Sequence, residues 1–181
     1  REQKIGFRTY LMTKYLIPDV KIAKSMPDFM LFSFYKFLIA SAIEKLKQNN
    51  PGAKIISTGS SLGAALATIV ASKSSIYGNV AELHTFGCPR VGDQNFVQYL
   101  KSKISTIKRV VHNRDIVPHV PLLTQNFVHP SNEIFFDENM ENYKICNDSG
   151  EDPSCSNSFY PNFSIEDHIS YWQKPTTSEI C

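Results

Sequence analysis

The sequence predicts an α/β domain: a mostly parallel central sheet with antiparallel edge strands and flanking helices. Three observations carry this prediction. Short β-prone runs recur at Lys54–Ser57, Val80–Phe86, Lys108–His112, Asn132–Phe136 and Tyr143–Cys146. Helical segments, Leu62–Ser74 and Asp93–Ser102, follow the first two runs, as a crossover between parallel strands requires. The later runs come close together without helices between them, the pattern of an antiparallel edge on an otherwise parallel sheet.

Taken in order, Tyr35, Leu38, Ile39, Ala42, Ile43 and Leu46 repeat at helical spacing, and Asn49-Asn50-Pro51-Gly52 ends the segment. The predicted helix packs one apolar face on the sheet. The chain's most apolar stretch, Phe29 to Ile43, is interrupted by Ser33, Lys36 and Ser41, is too short and polar to span a membrane, and reads as a buried helix. Ala53-Lys54-Ile55-Ile56 then reads as a short buried strand, and Ala64 to Ala71 as a helix rich in alanine and leucine. Between them stands Gly59-Ser60-Ser61-Leu62-Gly63, a G-x-S-x-G pattern at a strand-to-helix turn. Glycines there relieve side-chain clashes and leave Ser61 exposed at the tip, where a base can reach its hydroxyl. The Leu62 N–H, at the head of the next helix, is placed to donate to a developing oxyanion. The plainer reading of the same residues is a glycine-bearing turn with an ordinary serine.

With 181 residues, 42% hydrophobic and 20% charged, the chain suffices for one substantial core, so residues 1–181 are predicted to form a single domain. A net charge of +2 with scattered lysines and arginines forms no basic stripe and gives nucleic-acid binding no support. No cysteine–histidine cluster has zinc-site spacing, and no metal or organic cofactor is implied. Cys146 and Cys155 flank a polar loop that a disulfide can close, and two sequons, Asn147-Asp148-Ser149 and Asn162-Phe163-Ser164, point with it to a secretory compartment. Cys88 is predicted to be a buried thiol, and Cys181 to pair upstream of Arg1. The chain opens at Arg1 rather than methionine, which suggests a processed or truncated product.

A serine nucleophile needs a base, and the base an orienting carboxylate. Asp115 follows the strand Lys108–His112, at the strand end where open α/β sheets build their sites. His168 lies near the chain end after a long loop, so Ser61, Asp115 and His168 fall in the order of the α/β-hydrolase triad. His84 and His112 read as strand residues, while His119 and His129 are closer rivals for the base. Asp167 adjoins His168, but neighbours in a loop rarely face each other.

Four blocks resemble the class 3 lipases, a family that includes secreted triacylglycerol lipases of filamentous fungi: Thr58 to Ala67, Thr85-Phe86-Gly87-Cys88-Pro89-Arg90-Val91-Gly92-Asp93, Asn113 to Pro121, and Asp167-His168-Ile169-Ser170-Tyr171. The resemblance runs from about Phe7 onward. It implies an α/β-hydrolase-like fold and carboxylester hydrolysis on lipid at a lipid–water interface, with Ser61 as nucleophile, Asp115 as orienting acid and His168 as base. Ser60, Ile116, Val117 and His119 are the candidate substrate contacts. Ser60, Gly63 and Ala64 depart from the family's elbow, which carries histidine before the nucleophile and two glycines after the leucine. Phe7-Arg8-Thr9-Tyr10 is similar to the family's Phe-Arg-Gly-Thr segment, source of the second oxyanion donor, but lacks the glycine. Thr9 is the expected donor if one residue is deleted, Tyr10 if the match is ungapped. Thr9–Val20 is a candidate lid, and the family's N-terminal portion is expected to be missing. The altered segment leaves a second reading, a non-catalytic lipase-like binding or structural subunit.

Overall fold

The structure, a computed structural model, describes residues 40–73 and 79–173. The chain falls into two compact units, Arg1–Ala53 with Ser75–Gly78, and Lys54–Ser74 with Asn79–Cys181. In the first, residues 40–49 are helical, where Ala42, Ile43 and Leu46 predict a helix. Asn50 Nδ2 donates to Leu46 O at 3.0 Å and so satisfies a last-turn carbonyl. Tyr35, Leu38 and Ile39, the candidate lid, and Thr9 and Tyr10 lie outside the described residues.

The described residues of the second unit carry five strands: β1 (Ile55–Ser60), β2 (Val80–Phe86), β3 (Thr106–His112), β4 (Glu133–Phe136) and β5 (Tyr143–Ile145), hydrogen-bonded in that order. β1 to β4 are mutually parallel, with Ser57 opposite Leu83, Leu83 opposite Ile107, and Arg109 opposite Glu133. Helices α1 (Leu62–Ser72) and α2 (Gln94–Lys103) make the first two crossovers. β4 is parallel to β3 even though no helix joins them. The connecting chain returns through short 3₁₀ turns at Val117–His119 and Leu123–Gln125 instead. Among the described strands the antiparallel edge is therefore β5 alone.

Two apolar clusters follow from the period-2 alternation of strand side chains. Leu83 and Ile107 pack with Ala67 and Ala71 of α1, Leu100 of α2 and Ile104 just past its end. Val110 packs in a second cluster with Met140 and Tyr171, against Phe86, Ile134 and Phe136. Small residues let α1 lie close on the sheet: Ala64, Ala65, Ala67 and Ala71 are buried, and Ser57 Oγ donates to Ala67 O at 2.9 Å. Asp93 starts α2 by accepting a bond from Phe96 N at 2.9 Å, a side-chain N-cap worth about 1 kcal/mol.

Cys146 and Cys155 are joined in a disulfide. Within the loop it closes, Asp152 accepts bonds from Asn147 N at 2.8 Å and from Ser154 N at 2.9 Å. These bonds, Asn147 N–H foremost, bring its carboxyl down to about 2. Cys88 is buried, its Sγ 3.2 Å from Pro89 O, and Cys181 lies outside the described residues. No described helix is long and apolar enough to cross a membrane.

Candidate active site

Ser61 stands between β1 and α1 with φ 54° and ψ −134°, a region that costs a non-glycine residue of order 1–3 kcal/mol. The tight turn exists because Gly59 has no side chain: a Cβ there would collide with the Gly63 carbonyl at the head of α1. The Ser61 N–H donates to Phe86 O at 2.9 Å, which ties the turn to the end of β2. Serine at a helix N-cap ordinarily turns its hydroxyl onto the first-turn N–H groups. Here it makes no such bond. Its Oγ lies 2.8 Å from His168 Nε2.

His168 sits on α3 (Glu166–Ile169), and its Nδ1 lies 2.9 Å from Asp115 Oδ1 and 3.0 Å from Oδ2. A carboxylate on Nδ1 holds the ring proton there, which leaves Nε2 to accept from Ser61. Asp115 follows β3 and is wholly buried. Two further donors reach it, Val117 N at 2.8 Å onto Oδ1 and Tyr171 Oη at 2.7 Å onto Oδ2. Three donors compensate a carboxylate that has lost all contact with water. Burial, and then the Asp115 charge, push the Tyr171 hydroxyl well above its ordinary range, so it stays a neutral donor. In this geometry a proton can pass from the Ser61 hydroxyl to the His168 imidazole, with the buried Asp115 carboxylate on its far side.

The structure brings together the three residues that the sequence order singles out. Leu62 heads α1, where first-turn N–H groups have no acceptor within the helix. Each member of the relay adjoins an exposed apolar side chain, Leu62 (56% exposed), Ile116 (37%) and Ile169 (46%). Ser60 and Val117 are partly buried. The rival histidines make other contacts. His119 is buried and stacked on Phe163 with ring centroids 4.0 Å apart, and burial, then the Arg90 guanidinium, lower its pKa. His129 Nε2 donates to Pro118 O at 2.7 Å, and burial, with Arg109, holds its imidazole well below the usual range. His84 pairs with Glu82 at 2.9 Å, and His112 is buried at the end of β3. Glu133, Cys146 and Cys155 form a tight group of metal-ligand types, but the two sulfurs are bonded to each other and offer no thiolate.

Three supporting residues carry no role in the sequence reading. Tyr171 bonds the acid, Gly87 leaves room for it, and Arg90 braces the loop beyond it. All lie within the four family-like blocks, but their roles depend on groups 28 or more positions away in the chain. Arg90 is 4% exposed; it makes two 2.8 Å bonds to Glu151 and donates to Pro121 O at 2.9 Å.

The family model for class 3 lipases matches residues 6–125. The chain is 38% identical to a lipase of Rhizopus niveus over 128 residues, 68% of this chain and 33% of that one. It is 31% identical over 146 residues to the secreted mono- and diacylglycerol lipase 1 of Fusarium solani, 77% of this chain and 43% of the relative. The solved structure of lipase II from Rhizopus niveus superposes with a TM-score of 0.69 at 35% identity, covering 75% of this chain and 53% of that one. The chain thus spans roughly a third to two fifths of the length of these two sequence relatives.

Proposed function

Because this chain belongs to the class 3 lipase family, we propose that it is a serine carboxylester hydrolase that cleaves acylglycerols through an acyl-enzyme. One observation carries the reading: the unbroken relay of Ser61 Oγ to His168 at 2.8 Å and of His168 to Asp115 at 2.9 Å. Ser61 Oγ attacks the ester carbonyl carbon while its proton passes to His168 Nε2. Asp115 stabilises the imidazolium, and the Leu62 N–H binds the oxyanion. The proton then goes to the departing glycerol oxygen as the carbon–oxygen bond breaks, which leaves the acyl group on Ser61. Water, its proton taken by His168, releases the fatty acid and restores the serine.

The exposed Leu62, Ile116 and Ile169 beside the relay favour an apolar acyl chain and contact with a lipid–water interface. Thr9 is assigned the second oxyanion donor, with Tyr10 as the alternative. A secretory location is favoured by the disulfide and by the secreted Fusarium relative.

Covalent labelling by a fluorophosphonate, together with turnover of a short-chain ester, tests the reading. Wild type is expected to label at one site and to lose labelling in Ser61→Ala. Ser61→Ala and His168→Ala should each remove nearly all turnover, roughly 10³-fold or more, and the double variant should lose little further because the pair acts as one unit. A folded wild type that neither labels nor turns over would instead favour the non-catalytic subunit. Losses that multiply would overturn the shared mechanism.

A further inference from the structure

We propose that Asp167 is a positioning residue that sets the His168 ring in register with Asp115; the role rests on the relay proposed above. α3 has four residues, too few to hold its own shape, and Ile165 at its start provides no side-chain cap. Something outside the helix must therefore fix where His168 points. The fixing bonds converge on Asp167. Its Oδ2 accepts from Asn113 Nδ2 at 3.0 Å and from Arg114 N at 3.0 Å. Its carbonyl accepts from His112 Nδ1 at 2.8 Å, and its own N–H donates to Ser164 Oγ at 3.1 Å.

His112, Asn113 and Arg114 are the three residues immediately before Asp115. Asp167 is the residue immediately before His168. The bonds therefore join the two halves of the His–Asp pair one to three residues upstream of Asp115 and one residue upstream of His168, across 53 to 55 positions of sequence. Asp167 is not a rival acid, because both Asp115 oxygens face His168 Nδ1 while the Asp167 oxygen is committed to Asn113 and Arg114. Its ion pair with Arg114 Nε is 3.6 Å long, and Arg114 is 44% exposed, so water screens it. The two bonds to Oδ2 are what remain, and Asn113 and Asp167 are both buried.

An asparagine at 167 keeps an oxygen that can accept from the same two donors, whereas alanine keeps none. Asp167→Ala is expected to lower kcat on a soluble ester 10–100-fold with KM within about twofold, a size set by the effect of small misplacements on proton transfer. Asp167→Asn should recover most of that loss. A second readout needs no turnover: the downfield proton resonance of His168 Nδ1–H, expected in wild type and Asp167→Asn and lost in Asp167→Ala. Asn113→Gly removes one donor while tolerating the positive φ of 40° at that position, and should weaken the resonance and lower kcat about 3–10-fold; it serves if Asp167→Ala does not fold. An unchanged resonance in folded Asp167→Ala, equal impairment of the alanine and asparagine variants, or a silent Asn113→Gly would each overturn the proposal. If wild type shows no Ser61-dependent hydrolysis, the mechanism fails by itself, and the resonance still decides the role of Asp167.

Discussion

A methyl group on Gly87 would stand 2.6 Å from Asp115 Oδ2, 2.9 Å from Tyr171 Oη and 3.1 Å from His168 Nδ1. The backbone there has φ 55°, a region that costs an L-residue about 1–2 kcal/mol. Gly87→Ala is therefore expected to harm catalysis more than folding. It should destabilise by about 1–3 kcal/mol while kcat drops roughly 10²-fold, as the added methyl wedges acid and base apart. Chemical unfolding and ester turnover on the same preparation check this; a loss of stability with full turnover would show that Asp115 and His168 shift together. The neighbouring glycine of the elbow works differently, because Gly59 yields to backbone rather than to the reacting groups. The G-x-S-x-G spacing made Ser61 legible from sequence, since a strand–turn–helix is a local event. Gly87 and Tyr171 were not legible as site residues, because each matters only through groups that the fold brings from other strands and turns.

At the level of elements, the connection from β3 to β4 carries the acid and is clamped from outside by Arg90 and Glu151 and from within by His129. Arg90 holds Pro121 O, His129 holds Pro118 O, and Glu151 receives both Arg90 and the His129 N–H, the latter at 3.1 Å. Glu151 lies inside the loop that Cys146 and Cys155 close, so the disulfide braces the far side of the acid loop. Burial, the largest single influence, would raise the Glu151 carboxyl, but the bonds and charge of Arg90 together with bonds from Asn157 and the His129 N–H outweigh it and hold the group below its ordinary range. Removing a partner from such a pair leaves a nearly buried guanidinium uncompensated. Glu151→Ala is expected to destabilise by about 3 kcal/mol, and Cys146→Ser/Cys155→Ser by about 2–3 kcal/mol through the freed unfolded chain. Urea midpoints under non-reducing conditions measure both; a Glu151→Ala midpoint equal to wild type would show that Arg90 finds another partner. The paired cysteines and the strands were readable because spacing and alternation are written locally. That β4 would run parallel to β3 was not, because its direction is set by a long irregular connection with no periodicity to betray it.

Across the whole molecule, buried neutral histidines make stability depend on pH. His119 and His129 are both lowered in the folded state, so between their folded values and the ordinary 6.5 the unfolded chain binds more protons. Stability is thus full above about pH 6.5 and falls as pH drops below it, by at most about 1.4 kcal/mol per pH unit for each proton. Asp152, brought from 3.8 to about 2, loses its contribution lower still, as pH falls from about 4 toward 2. His129→Gln should flatten the slope between pH 7 and 5 in unfolding curves; an unchanged slope would assign that dependence to other groups. The sequence by itself determined the α/β class, the order serine, aspartate, histidine, and the loop that the disulfide closes, because each is carried by local spacing or by a short motif. Only the tertiary structure decided that Asp115 rather than Asp167 meets His168, that His168 rather than His119 or His129 meets Ser61, and that Tyr171, Gly87 and Arg90 support the acid. Those choices depend on which side chains converge when β3, α3 and the turns after β2 pack together, and contacts between distant segments leave no periodic trace in the chain.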